Sequence, residues 1–307
     1  MPALPRQGFG VGLLLRGFRV SVQPANRTKW AEGFPGCLYS RRVTESADYL
    51  TLRETFNQDA ERYDRARPRY PSALFDDLAA AGVGPGARVL EIGCGTGQAT
   101  VALAERGYRV LAVELGADMA AVARRNLARF ESVAVVTEAF EEWVLPREPF
   151  DVVFSATAFH WVDPAVRVRK SADALRPGGV LATVSTHHIA GGTEPFFAAA
   201  QGCYERFDPA TPPNLRLEGA DTIPEDDAEL VASRRFGPAT FHRYEWEQAY
   251  STGEYLDLLL TYSGHRALPA AQQTGLLDCI GRLIDEDHGG RMVKRYLTEL
   301  RTAHRTD

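Results

Sequence analysis

Between residues 91 and 97 the chain reads Glu-Ile-Gly-Cys-Gly-Thr-Gly, three glycines at alternate positions behind an acid. Backbone without Cβ atoms permits left-handed turns and lets a ligand approach main-chain atoms closely. A plain strand-to-helix turn needs one glycine, so three of them point to a binding loop. In open α/β sheets ligands sit outside the carboxyl ends of the strands, where strand order reverses. This loop follows a short apolar run, Arg88 to Ile92, and opens a helical segment at Gln98. Spacing then separates ligand classes. A dinucleotide fingerprint beginning at Gly93 and Gly95 needs a glycine where Gln98 stands, and a phosphate loop needs a Lys-Ser/Thr pair that is missing.

Glu91 to Gly97 resembles the first motif, E/D-x-G-x-G-x-G, of the class I S-adenosylmethionine-dependent methyltransferases. The resemblance runs from about Phe56 to Ser185 and implies S-adenosylmethionine as cofactor, with Glu91, Gly93, Gly95 and Gly97 in its binding loop. Glu114 ends the second strand about twenty residues beyond the glycines, where an acid can accept both ribose hydroxyls. Glu138-Ala139-Phe140-Glu141 occupies the stretch that edges the adenine in the family; Ala139 stands where an Asp is common, so a Phe140 backbone contact with Glu141 nearby is what carries over. The segment Ser155 to Asp163 looks like the post-strand segment of small-molecule methyltransferases related to the ubiquinone-pathway and trans-aconitate enzymes, with Ser155 in the cofactor site. Leu175 to Gly179 matches that group's later turn. The upstream Phe56-Asn57, Ala60, Tyr63-Asp64, Arg67-Pro68 and Tyr70-Pro71 are similar to its amino-terminal helix and lid.

His160 is the candidate general base, because it lies just past the fourth strand and its reference pKa near 6.5 suits proton removal at neutral pH. The alternative is that His160 and Trp161 wall the pocket. A base is needed only if the acceptor keeps a proton. Tyr63 and Arg67, with Tyr70, form a lid in which an Arg beside an aromatic could neutralise the methionine carboxylate or an acidic substrate; the alternative is a surface helix end. Tyr244, Trp246, Tyr255 and Tyr262 suit the enclosure of an organic acceptor, although such residues more often pack a core. His187 and His188 are adjacent, so on a strand they point to opposite faces, and no third ligand has matching spacing. No metal is expected.

The elements that must position these residues alternate. A helical stripe of Leu52, Phe56, Ala60 and Tyr63 predicts a helix over 52–65, and Ser72 to Ala81 predicts a second. Strands follow at 88–92, 109–113, 133–137, 150–155 and 179–185, with helices at 98–106, 117–130 and 164–175 between them. Such alternation builds a doubly wound α/β fold: a mostly parallel, Rossmann-like sheet covered by helices on both faces. Beyond residue 186, helices are expected at 194–207, 253–263 and 269–287, and strands at 240–250 and 292–303. The strands would add an antiparallel edge and the helices a cap over the sheet's carboxyl end.

The domain reading is therefore a methyltransferase unit over 51–307, with 51–185 as cofactor-binding core and 186–307 as cap and last strands. Residues 1–50 carry 7 Lys/Arg and 3 Asp/Glu without periodicity and read as a poorly ordered extension, either a flexible tail or upstream-extended start or, less simply, a transit peptide. Lys+Arg 35 against Asp+Glu 40 leaves a net charge of -5, which supplies no field to gather nucleic acid or anionic lipid. No apolar run approaches the roughly 20 residues that span a membrane. Cys37, Cys94, Cys203 and Cys279 lie far apart with no C-x-x-C pair, a pattern read as neither zinc site nor disulfide framework and suited to a reducing cytoplasm. The leading expectation is a cytoplasmic small-molecule methyltransferase. A nicotinamide-dependent oxidoreductase on the same fold, or a non-catalytic cofactor-binding protein, are the alternatives.

Overall fold

The computed structural model describes residues 52–307 apart from Glu54, so the expectation for residues 1–50 lies outside the described residues. Seven strands form one sheet in the order β3-β2-β1-β4-β5-β7-β6. They are β1 Arg88–Ile92, β2 Arg109–Glu114, β3 Val133–Thr137, β4 Phe150–Ala156, β5 Leu175–Ile189, β6 Thr240–Ser251 and β7 Arg291–His304. The helices are α1 Ala60–Ala66, α2 Ser72–Ala80, α3 Gln98–Glu105, α4 Ala117–Leu127, α5 Pro164–Ala174, α6 Glu194–Phe207, α7 Ala228–Ser233, α8 Thr252–Leu259, α9 Ser263–Arg266 and α10 Ala270–Asp287. β1 to β5 run parallel, while β7 pairs antiparallel with both β5 and β6. The doubly wound sheet with an antiparallel edge is the expected one.

Side-chain alternation along each strand divides the core in two. Val89, Val152, Phe154, Val180 and Ala182 pack with Leu74 and Phe75 of α2 and Leu103 of α3. Their neighbours Leu90, Val153 and Leu181 point the other way, against Val168 and Ala172 of α5 and Leu230 of α7. A period of two on strands buried on both faces gives this pattern directly. Strand order reverses between β1 and β4, and the glycine loop leaves the sheet there.

Several elements differ from their sequence readings, among them α7, which was not expected, and α4, which ends at Leu127. The helix expected over 52–65 is broken into a 3-10 turn, Thr55–Asp59, and α1, because Asp59 caps the new start by accepting the Arg62 N–H at 3.1 Å. The helix expected over 253–263 stops at Leu259 and resumes as α9. β5 runs on to Ile189: its Val180–Val184 stretch pairs with β4, and Ser185–Ile189 continues against β7 alone. That overhang is a platform beyond the parallel sheet. On it a third cluster packs Phe196, Tyr255, Leu258, Leu276, Ile280 and Tyr296.

The cysteine reading is corrected. Cys203 of α6 and Cys279 of α10 are joined by a disulfide across 76 residues of sequence. Sequence spacing held no sign of it, since only the packing of α6 on α10 brings the pair together. Closing a loop of that length contributes about 4 kcal/mol in the chain-entropy account. Reduction, or Cys203→Ser, is therefore expected to lower the thermal midpoint by roughly 10 °C. An unchanged calorimetric melt under reducing conditions would contradict this.

Candidate active site

At the exit of β1 the backbone turns through left-handed conformations at Gly93 (φ 68°), Gly95 (58°) and Gly97 (89°). Each glycine has a separate cause or consequence. A Cβ on Gly93 would stand 2.5 Å from the Ala158 Cβ, so its bareness lets the β4 exit close onto the β1 exit. Gly95 turns its N–H to the Glu114 carboxylate at 2.8 Å. Gly97 begins α3, and a Cβ there would meet Leu127 of α4 at 3.0 Å, so it serves helix packing. Of the three, Gly93 and Gly95 line a cavity of about 110 Å³ and Gly97 does not.

Glu114, at the end of β2, forms the next wall. Its second oxygen accepts the Gly116 N–H at 2.9 Å, so one buried carboxylate ties two strand exits together. Burial raises its pKa above the usual carboxylate value, against the pull of the Gly116 and Gly95 N–H groups. Each oxygen keeps a further lone pair for a ligand hydroxyl. Phe140 and Glu141 also line the cavity. Glu141 pairs with Arg53 at 2.6 Å and accepts the Asp163 N–H at 3.1 Å. Burial alone would raise its pKa, and these partners, with its own backbone N–H, pull it below the ordinary value.

The roof is the turn before α1. Phe56 stands edge-on to Tyr63 and Trp161, with centroids 6.1 and 5.4 Å away. Asn57 fastens this turn to the start of α4: its Oδ1 accepts the Asp118 N–H at 2.7 Å and the Met119 N–H at 3.3 Å. Thr157, just past β4, holds a positive φ of 54° and shares a 3.0 Å hydrogen bond with Tyr70. A non-glycine residue in that region is strained, a condition that concentrates at ligand sites.

Four expected residues lie elsewhere. Glu91 is 1% exposed within β1 and not on the cavity wall; burial, with the Glu114 charge adding, pushes its carboxyl up to about 7. Ser155 is fully buried and donates to the Ile92 carbonyl at 2.9 Å, which joins β4 to β1 in the core. Arg67 lies over the Tyr63 ring and the Tyr262 ring, at 4.9 and 4.5 Å, and donates to the Thr261 carbonyl at 3.0 Å. It therefore sits behind Tyr63, facing the cap. His160 packs on Trp161 with centroids 5.1 Å apart, and the described walls of the cavity include Trp161 but not His160. His160 is exposed, so its imidazole stays open to water. Arg53 and Met119 are wall residues that sequence reasoning did not single out, and neither belongs to a motif with chemical spacing; Thr157 lies in the Ser155 to Asp163 segment, where only Ser155 is given to the cofactor. Among the described residues no cluster of three metal-ligating side chains occurs.

Residues 90–183 match the model of the methyltransferase domain family. A methyltransferase of Mycobacterium tuberculosis, itself uncharacterised, is 41% identical over 130 residues, covering 42% of this chain and 51% of the relative. A trans-aconitate 2-methyltransferase of Azoarcus is 33% identical over 127 residues, 40% of this chain and 49% of that one. The chain thus spans about half the length of these curated relatives. Among solved structures, a proposed type II methyltransferase from Anaeromyxobacter dehalogenans superposes with a TM-score of 0.52 at 26% identity, over 77% of this chain and 97% of the other. With its strand order, its glycine loop and these matches, the chain carries a methyltransferase domain of the class I S-adenosylmethionine-dependent type over residues 90–183.

Proposed function

We propose that this chain transfers the methyl group of S-adenosylmethionine to a small organic acceptor by in-line displacement, with 51–185 as the cofactor half and 186–307 as the half that covers the acceptor. The observation that carries this reading is the charge of the glycine-loop cavity. Glu114, Glu138 and Glu141 line it, and Arg53 is engaged with Glu141. The surplus of negative charge favours a cationic nucleoside and opposes the pyrophosphate of a nicotinamide dinucleotide. When bound, S-adenosylmethionine supplies a methyl group already activated by its sulfonium.

The work left to the protein is holding and enclosure. Glu114 offers its spare lone pairs to sugar hydroxyls, Gly93 and Gly95 keep the floor free of side chains, and Phe140 supplies an apolar edge. A cavity of about 110 Å³ is below the roughly 300–1,000 Å³ usual for ligand sites, so the roof of Arg53, Phe56 and Trp161 has to lift on loading. Its catches are the Arg53–Glu141 ion pair and the Asn57 cap on α4. If the acceptor carries a proton, His160 is our candidate to take it. Nucleic acid is not the acceptor we infer, since the net charge of -5 gives no attraction to phosphate.

Calorimetry with S-adenosylhomocysteine tests the cofactor site. Charge-assisted hydrogen bonds place the expected loss for Glu114→Ala at roughly 10- to 100-fold in affinity, and equal affinity in both proteins would sink the assignment. Methyl-labelled cofactor incubated with cell extract, followed by mass identification of the labelled product, tests the transfer itself. With that product's precursor in hand, His160→Ala should lower turnover far more than cofactor affinity. A parallel loss of turnover and cofactor affinity would remove the base role.

A further inference from the structure

A second cavity, of about 410 Å³, opens on the β5 overhang under the cap. Its floor carries His188 of β5 and Lys294 of β7, and its side carries His265 of α9. These three polar side chains are 7%, 2% and 6% exposed. Lys294 donates to the Tyr262 hydroxyl at 3.1 Å, and its ammonium lies over the rings of Tyr262 and Tyr296 at 5.3 and 5.0 Å. Among the described residues no carboxylate pairs with it. His188 Nε2 and His265 Nδ1 are buried without a hydrogen-bond partner. Two acids do reach this cavity, but Asp208 is turned to the Ala210 N–H and the Thr211 hydroxyl, and Glu194 is exposed, as is Arg216.

An ammonium has three N–H donors, and a buried one without a counter-charge is costly unless a ligand supplies the acceptors. Loss of hydration, with the Lys294 charge adding, keeps His188 neutral well below its ordinary range, so its Nε2 is a hydrogen-bonding group and not a second cation. Phe197, Leu259, Leu268 and Leu276 give apolar walls, and the Gln201 amide there is turned to Glu205 and the Pro212 carbonyl. Tyr262 belongs to this cavity and Tyr63 to the glycine-loop cavity, and Arg67 is stacked on both rings. Arg67 is thus layered between a wall residue of each chamber.

We propose that this cavity is the acceptor chamber and that it takes an organic anion, a carboxylate on an apolar body, with the carboxylate on Lys294 and hydrogen-bonded by His188. The proposal rests on the methyl-transfer reading for its role as acceptor site, while the anion site itself stands on the cavity alone.

Melting scans separate the two. Benzoate, phenylacetate and cyclohexanecarboxylate are each added to the full chain beside the corresponding neutral amide, with S-adenosylhomocysteine as a separate addition. At least one carboxylate is expected to raise the midpoint where its amide does not, and Lys294→Met is expected to weaken that carboxylate roughly tenfold or more. Lys294→Arg should retain the preference for carboxylate over amide. Without ligand, Lys294→Met should melt at or above the unaltered protein, because a binding lysine is held in the core at a cost to stability. Carboxylate and amide acting alike in every pair, an undiminished shift in Lys294→Met, or a lower melt for that variant with the S-adenosylhomocysteine shift intact would each overturn the proposal. A carboxylate shift without any S-adenosylhomocysteine shift would leave the anion site standing and remove the methyl-transfer reading.

Discussion

One buried carboxylate organises the site. Glu114 sits at the end of β2 and takes the Gly95 N–H on one oxygen and the Gly116 N–H on the other. Those two bonds set the β1 exit loop against the start of α4. The loop's other side is set by Gly93, whose missing Cβ allows Ala158 to come close. Floor and wall of the glycine-loop cavity are consequences of this one arrangement. Fixed backbone dipoles hold a charge that burial would otherwise disfavour, and the charge is left with acceptor capacity toward the cavity.

The two chambers are opposite in charge and arise from different parts of the sheet. The parallel half, β1 to β4, presents three carboxylates around bare backbone. The antiparallel half, where β5 outruns β4 and meets β7, presents Lys294 and His188, and α9 adds the buried His265. On the proposed reading, the carboxylate-lined chamber would take the positively charged donor and the lysine chamber a negatively charged acceptor. Arg67 is layered between Tyr63 on one chamber and Tyr262 on the other.

The cap's internal staple serves the same end. α6 and α10 both border the larger cavity, and the Cys203–Cys279 bond ties them. A chamber that buries a charged side chain without a protein counter-charge needs walls that resist collapse and water entry, because either would remove the reason for the lysine to be there. Tyr255, on the cavity wall, packs edge-on at 5.6 Å against Phe196 in the core behind it.

Local pattern alone determined the order and type of most elements, the parallel character of the sheet and the glycine loop with Glu114, because strand alternation, turn glycines and an acid at a strand end are short-range signals. Phe140, Glu141 and Tyr63, which it singled out, line the glycine-loop cavity. What tertiary structure decided was everything that depends on residues far apart in the chain. Ser155 went to the core because its hydroxyl found the Ile92 carbonyl 63 positions away, and the disulfide formed across 76 residues. Lys294 drew no notice in the sequence, since a lysine on a strand is ordinarily exposed. Only the antiparallel pairing of β7 with β5, and the cap folded over them, converts it into a buried cation facing a cavity.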